Sequence, residues 1–211
     1  SGKTTTLYAA LSRINGVERN IITVEDPIEY EIVSRESFVT QREIGCDAPS
    51  LEAALIGALR ADPDVLVVGE VRDAKSMRAV LTAAETGHLV LATLHTGTAS
   101  ETVERVTDMF DGPMQARARI ALAETLIAVV CQRLVKRPNA GRRAVVEMLV
   151  ATPAVRSIIR QSKTHLLRNT IATGRQHGMQ TFAQHAQELL ACGEISAAVA
   201  ARFIESSMAA A

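Results

Sequence analysis

Ser1-Gly2-Lys3-Thr4-Thr5-Thr6-Leu7-Tyr8-Ala9-Ala10-Leu11 reads as the last half of a phosphate-binding loop, G-x-x-x-x-G-K-[ST], opening a helix. Backbone N–H groups at a helix N-terminus have no intrahelical partner, and the helix dipole favours an anion there. Lys3 is expected to reach the β- and γ-phosphates of a nucleotide, and the Thr4 hydroxyl to complete a Mg²⁺ shell. Ser1, Gly2 and Thr5 complete the expected phosphate-binding set. Taken alone the tripeptide is weak, because a solvated lysine ahead of a helix has the same sequence. The motif's first glycine and its preceding strand are expected upstream of Ser1. The chain is therefore expected to be a fragment, lacking an N-terminal domain of its parent and hydrolysing nucleotide poorly by itself.

Hydrophobic residues make up 47% of the 211 and charged residues 22%, so a packed core is expected. Aromatic residues are only 3%, which makes that core aliphatic and leaves little for stacking nucleic-acid bases. Lys+Arg and Asp+Glu are both 23, so no bulk field draws the chain to nucleic acid or anionic lipid. Cys46, Cys131 and Cys192 are scattered and odd in number, against a disulfide framework and in keeping with a reducing compartment. No apolar run approaches the length of a membrane span, and no signal peptide is present.

Helical periodicity runs from Thr4 to Ile14 and stops at Asn15-Gly16. Asn20 to Val24 reads as a buried strand, ended by Glu25-Asp26-Pro27-Ile28-Glu29, which leaves three carboxylates on a loop. Phe38 to Arg42 reads as a second strand. Ser50 caps an expected amphipathic helix over Ala53–Leu59. Val65 to Val68 is a buried strand ending at Gly69-Glu70, Asp73 to Glu85 a helix, and His88 to Leu94 a strand ending at His95. Helices are expected over Ser100–Asp108 and Met114–Val130, then a strand pair over Leu134–Lys136 and Ala144–Leu149. The remainder reads as helices over Pro153–Gln161, Leu166–Ala172, Gln180–Ala191 and Ser196–Ser206. Strand–helix alternation implies an α/β fold with a mostly parallel sheet over residues 1–150, followed by a C-terminal helical region over 151–211.

In an open α/β sheet ligands sit at the carboxyl ends of the strands. Three apolar runs deliver Glu25, Asp26 and Glu29, then Glu70, then His95 to that edge, the edge a phosphate-binding loop also occupies. The chemistry of phosphoryl transfer to water needs these types: a carboxylate to orient the water and accept its proton, oxygen ligands for Mg²⁺, and a donor that senses the γ-phosphate. Each residue also has a plain reading, as a loop solvator, a helix cap or a structural histidine. His88 and His95 are seven apart, so on a regular strand they face opposite ways. His95 is assigned to the site and His88 to a structural role or one behind the site residues, and His165, His177 and His185 read as surface residues. Arg60, Arg72 and Arg78 are candidates for charge neutralisation, or for ordinary pairing with Asp62, Asp64 or Asp73.

These residues resemble the secretion ATPases of type II secretion and type IV pili. Ser1 to Tyr8 resembles the family's Walker A, Ile22-Thr23-Val24-Glu25-Asp26-Pro27-Ile28-Glu29 its Asp box, Val67-Val68-Gly69-Glu70-Val71-Arg72-Asp73 its atypical Walker B, and Thr86-Gly87-His88 through His95-Thr96 its His box. Four motifs in the family's order span nearly the whole chain. Ala154-Val155-Arg156-Ser157-Ile158-Ile159-Arg160-Gln161 and Gly178-Met179-Gln180-Thr181-Phe182 are similar to segments of the pilus-retraction branch. Ser157 and Gln161 depart from its pattern, which has Asn and Glu there. The extension and secretion branches carry a cysteine-paired zinc segment where Lys136-Arg137-Pro138-Asn139 stands here.

The resemblance implies a RecA-like P-loop core and ATP and Mg²⁺ as cofactors. It implies a homo-hexamer driving an inner-membrane pilus platform protein from the cytoplasmic face, peripheral to the membrane only through partners and without nucleic acid. It implies that Glu29 is the catalytic glutamate, that Glu70 is the Walker B acid near Mg²⁺, that His95 contacts the γ-phosphate, and that Glu25, Asp26 and Arg72 support the nucleotide. A secretion, conjugation or accessory pilus ATPase, a RecA-like nucleic-acid motor and a non-catalytic ring subunit remain as alternatives.

Overall fold

A computed structural model of the chain describes residues 2–16 and 18–208. Ser1, expected to bind phosphate, lies outside the described residues. The elements run in the order α1 (Lys3–Ile14), β1 (Asn20–Glu25), β2 (Phe38–Glu43), α2 (Leu51–Leu59), β3 (Val65–Val68), α3 (Ala74–Glu85), β4 (Leu89–Ala92), α4 (Ala99–Asp108), α5 (Pro113–Thr125), β5 (Ala128–Lys136), β6 (Arg142–Val150), α6 (Pro153–Arg160), α7 (Leu167–Thr173), α8 (Phe182–Ala191) and α9 (Ala197–Met208). They form two compact units: residues 3–95 with 106–125, and Gly2 with 96–105 and 126–208.

The first unit is built on a parallel sheet in the order β2-β1-β3-β4. Ile21, Ile22 and Val24 of β1 and all four residues of β3 are buried, as continuous β-branched runs must be when both faces of a parallel sheet are covered. Leu11 of α1 packs with Ile21, Val65 and Val67 on one face, with Leu7, Ile14, Val39 and Leu91 around them. The Ser50 side chain caps α2 by accepting from the Ala53 N–H, and Asp73 caps α3 by accepting from that of Ser76. α2 is not the amphipathic helix expected. Its sequence is apolar nearly throughout, burying Ala54, Leu55 and Ala58 while leaving Ile56 exposed. The alternation of strand and helix is also incomplete, because residues 26–37 cross from β1 to parallel β2 without a helix. That loop carries Glu29.

The helix expected to reach Val130 stops at Thr125, and residues 128–136 form β5, paired antiparallel with β6 from Ala128↔Val150 to Lys136↔Arg142. β5 therefore starts well before the expected Leu134 while ending at Lys136 as expected, and β6 extends beyond its expected bounds to Arg142 and Val150. Ala128-Val129-Val130-Cys131 is a short apolar run that periodicity alone assigns to either type, and pairing with β6 decides it.

This hairpin belongs to the second unit, with the C-terminal helices, and not with the sheet as a boundary at residue 150 assumed. Met148 and Gln180 exchange backbone hydrogen bonds, which joins β6 to the start of α8. Thr181 and Gln184 form a capping box there. Val145, Leu149, Val155, Ile159, Leu167, Ile171, Met179 and Ile195 are among the residues buried in the core of this unit. Among the described residues no helix is long and apolar enough to cross a membrane.

Candidate active site

Gly2 precedes α1 with φ +80°, in the left-handed region that a side chain disfavours, and an added Cβ would lie 3.2 Å from the Gln132 side chain. The sequence therefore needs glycine ahead of Lys3 on backbone grounds. Lys3 Nζ donates to the Leu94 carbonyl at 3.0 Å, which brings the cation to the carboxyl end of β4. Thr4 Oγ1 donates to Glu29 Oε1 at 3.1 Å, which brings the loop after β1 to the first turn of α1. Thr5 is exposed on that same turn.

Glu70 follows β3, half-buried. Its Oε2 accepts from Arg72 Nη2 at 2.7 Å, and His95 Nε2 lies 3.0 Å from its Oε1. The Arg72 hydrogen bond, working against burial and helped by the charges of His95, Arg72 and Lys3, holds the Glu70 carboxyl below the ordinary carboxylate range. The same pairing raises Arg72 further above the range of a free guanidinium, with a contribution from the charge of Asp26. A cleft of about 170 Å³ lies against Glu70, Arg72, Asp26 and Asp73. Gly69 lets the backbones close up here: a Cβ would meet Glu25 Cα and the Val24 carbonyl at 3.4 Å, and its N–H donates to that carbonyl at 2.8 Å.

The expected site residues fall into two groups. Lys3, Glu70, Arg72, His95 and Asp26 share one charged cluster, and Thr4 and Glu29 share a hydrogen bond. Consecutive residues Lys3 and Thr4 tie one to the other.

Glu25 is different. It was expected among the nucleotide-binding acids but is 5% exposed. Its carboxylate accepts from Tyr8 Oη at 2.6 Å, Thr23 Oγ1 at 2.7 Å and Gln41 Nε2 at 3.0 Å. As a strand residue next but one to Thr23 it faces inward, and three protein donors occupy it. Tyr8, Gln41 and, beside them, Glu43 were missed in the sequence. Tyr8 is four residues from Thr4, on the same helix face, and Gln41 and Glu43 are two apart on one face of β2.

His88 takes the structural role expected: its Nδ1 lies 2.9 Å from the Ala83 carbonyl and 3.0 Å from Thr86 Oγ1, closing the end of α3. His185 is a correction. It is half-buried, not a surface residue, and its Nδ1 accepts from the Val146 N–H at 2.9 Å, docking α8 on β6. Arg60 and Arg78 are exposed, and the ion pair expected for Arg72 with an aspartate is made with Glu70 instead.

No group of three or more His, Cys, Asp or Glu with metal-holding geometry occurs among the described residues. The donor set fits a cation that keeps most of its shell from elsewhere, as Mg²⁺ does with waters and phosphates. Thr4 and Glu70 are the residues that would hold it.

The family model for type II/IV secretion system proteins matches residues 1–202. The chain is similar to a type IV pilus retraction ATPase, PilT, of Pseudomonas aeruginosa, 45% identical over 197 residues that are 93% of this chain and 57% of that protein. A twitching motility protein of Neisseria gonorrhoeae is 44% identical over 209 residues, 98% of this chain and 56% of that one. Among solved structures, the pilus retraction motor PilT with bound ADP matches with a TM-score of 0.86 at 40% identity, over 100% of this chain and 58% of that one. The chain thus spans somewhat more than half the length of these relatives. On the family model and these identities, it belongs to the type II/IV secretion system protein family.

Proposed function

We propose that this chain is the catalytic core of an ATP-hydrolysing, Mg²⁺-dependent hexameric motor that powers type IV pilus retraction. The observation that carries the reading is the hydrogen bond from Thr4, beside Lys3 at the N-terminus of α1, to Glu29. It puts a carboxylate next to a helix end suited to triphosphate. ADP in the PilT structure supports a nucleotide as the ligand.

Lys3 neutralises charge on the β- and γ-phosphates. Glu29 orients a water against the γ-phosphorus and accepts its proton as the new P–O bond forms and the bond to the β-phosphate oxygen breaks, leaving ADP and phosphate. Bound Mg²⁺ supplies charge neutralisation on the phosphate oxygens. His95 exchanges Glu70 for the γ-phosphate, so that its position reports the presence of that group. Arg72, paired with Glu70 at 2.7 Å, is a second cation within reach of nucleotide. The motor is a homo-hexamer at the cytoplasmic face of the inner membrane, acting on a platform protein, and the charge balance of the sequence speaks against nucleic acid as its track.

The test is steady-state ATP turnover by the full-length protein, with Glu29→Gln expected to lower kcat by about 10²–10⁴-fold. Deletion of the gene is expected to leave cells piliated and unable to twitch. Unchanged turnover in the variant, or normal retraction in the deletion strain, overturns the proposal.

A further inference from the structure

The loop that carries Glu29 is held at three points on either side of it. The Ile28 N–H donates to Glu43 Oε2 at 2.9 Å. The Tyr30 carbonyl accepts from Gln41 Nε2 at 3.0 Å, and the Ile32 N–H donates to Gln41 Oε1 at 2.6 Å. Tyr8 joins the same group from α1: its ring meets that of Tyr30 edge to face at 5.6 Å, and its hydroxyl donates to buried Glu25. Glu25 in turn accepts from Gln41. Tyr8 lies one helical turn beyond Thr4, whose hydroxyl holds Glu29 itself. One residue thus receives its position from the helix that binds phosphate and from the strand β2 at once.

We infer that Tyr8 and Gln41, organised around buried Glu25, are positioning residues that fix the Glu29 carboxylate where it orients the attacking water against the γ-phosphate. The inference rests on the ATPase reading above. It assigns Glu25 a role without nucleotide contact: its charge fixes the Tyr8 hydroxyl and the Gln41 amide, and those fix the loop. Three donors on one buried carboxylate make such an arrangement rigid, since each lost partner leaves a buried polar atom unsatisfied. Misplacing a catalytic group by about 1 Å costs on the order of 10²-fold in rate, so a positioning defect appears in kcat and leaves ground-state binding intact.

The experiment measures kcat and KM for ATP in the full-length protein carrying Tyr8→Phe, which keeps the ring against Tyr30, and separately Gln41→Leu. Each is repeated in a Glu29→Asp background. The expected result is a fall in kcat of about ten- to a hundredfold with KM unchanged, and a much smaller further loss when Glu29 has already been shortened. Unchanged kcat in both variants overturns the inference, as does a loss that adds in full to that of Glu29→Asp. Wild-type turnover insensitive to Glu29→Asp overturns the ATPase reading beneath it, and is seen before either positioning variant is compared.

Discussion

The Thr4 hydroxyl donates to Glu29 Oε1 across 25 positions of sequence. This bond is on the surface and neutral in its donor, so its share of stability is small, about 0.5–1.5 kcal/mol. Its value to the proposed reaction is geometric. Thr4→Val in the full-length protein keeps the β-branched shape and removes the hydroxyl. ATP turnover is expected to fall by about 10²-fold while the melting temperature stays close to that of the parent. Thermal denaturation and turnover measured on one preparation separate the two. Turnover falling only in proportion to unfolded protein would reduce Thr4 to a structural residue.

Glu70 offers a charge test. Its carboxyl is held below the usual range first by Arg72, then by the charges of His95 and Lys3. A depressed carboxylate stabilises the fold above the unfolded value of about 4.3, and that contribution is lost as pH falls through the lower folded value. Arg72→Ala is expected to move the Glu70 midpoint upward, toward the ordinary value, in a carboxyl carbon NMR titration. His95→Ala is expected to move it upward by less. An unmoved midpoint in Arg72→Ala would mean the pair is not formed in solution.

Lys3 and Thr4 were singled out by the phosphate-loop motif, and Glu29, Glu70 and His95 by a rule of parallel sheets. Continuous apolar runs mark buried parallel strands, and the polar residue that ends each run must fall on the edge where ligands bind. Glu25 obeyed the same rule but is buried, because the rule does not say where the last strand residue points. Thr23 and Glu25 share a face, and Gln41 comes opposite through the pairing Thr23↔Gln41. That register is a tertiary fact. The start of β5 was hidden for a related reason: Ala128 to Cys131 takes its type from a partner strand beginning at Arg142.

His185 shows the same dependence on packing. Its Nδ1 accepts from the Val146 N–H at 2.9 Å, and burial, with the charge of Arg143, pushes it below the ordinary histidine value against the opposing pull of Glu188. A histidine depressed on folding stabilises the protein above the unfolded value of about 6.5, and the contribution is lost as pH falls toward the folded value. Protonation also removes the acceptor from the Val146 N–H. The melting temperature is expected to fall between pH 7 and pH 5, and the fall is expected to be shallower in His185→Gln. An identical pH dependence in the variant would assign the loss to other groups.

Glu147 carries the last prediction. It is 8% exposed and accepts from the Ala99 N–H at 2.8 Å, and also from the Phe182 N–H, so one carboxylate closes the first turns of α4 and α8. Burial raises its carboxyl above the ordinary range, against the two backbone donors and the charges of Arg133 and Arg168. A raised carboxyl binds its proton more tightly folded than unfolded, so its contribution declines as pH rises from about 4.3 through the folded value. Glu147→Gln keeps an acceptor oxygen and removes the charge. It is expected to match or exceed the parent's stability at pH 7 and to flatten the pH dependence in that window. Glu147→Leu removes the acceptor from two buried N–H groups and is expected to cost about 2–4 kcal/mol. Chemical denaturation of all three proteins at pH 5 and pH 7 checks both signs. If Gln and Leu destabilise equally, the charge itself is what holds the two helix ends, and the acceptor account of Glu147 is wrong.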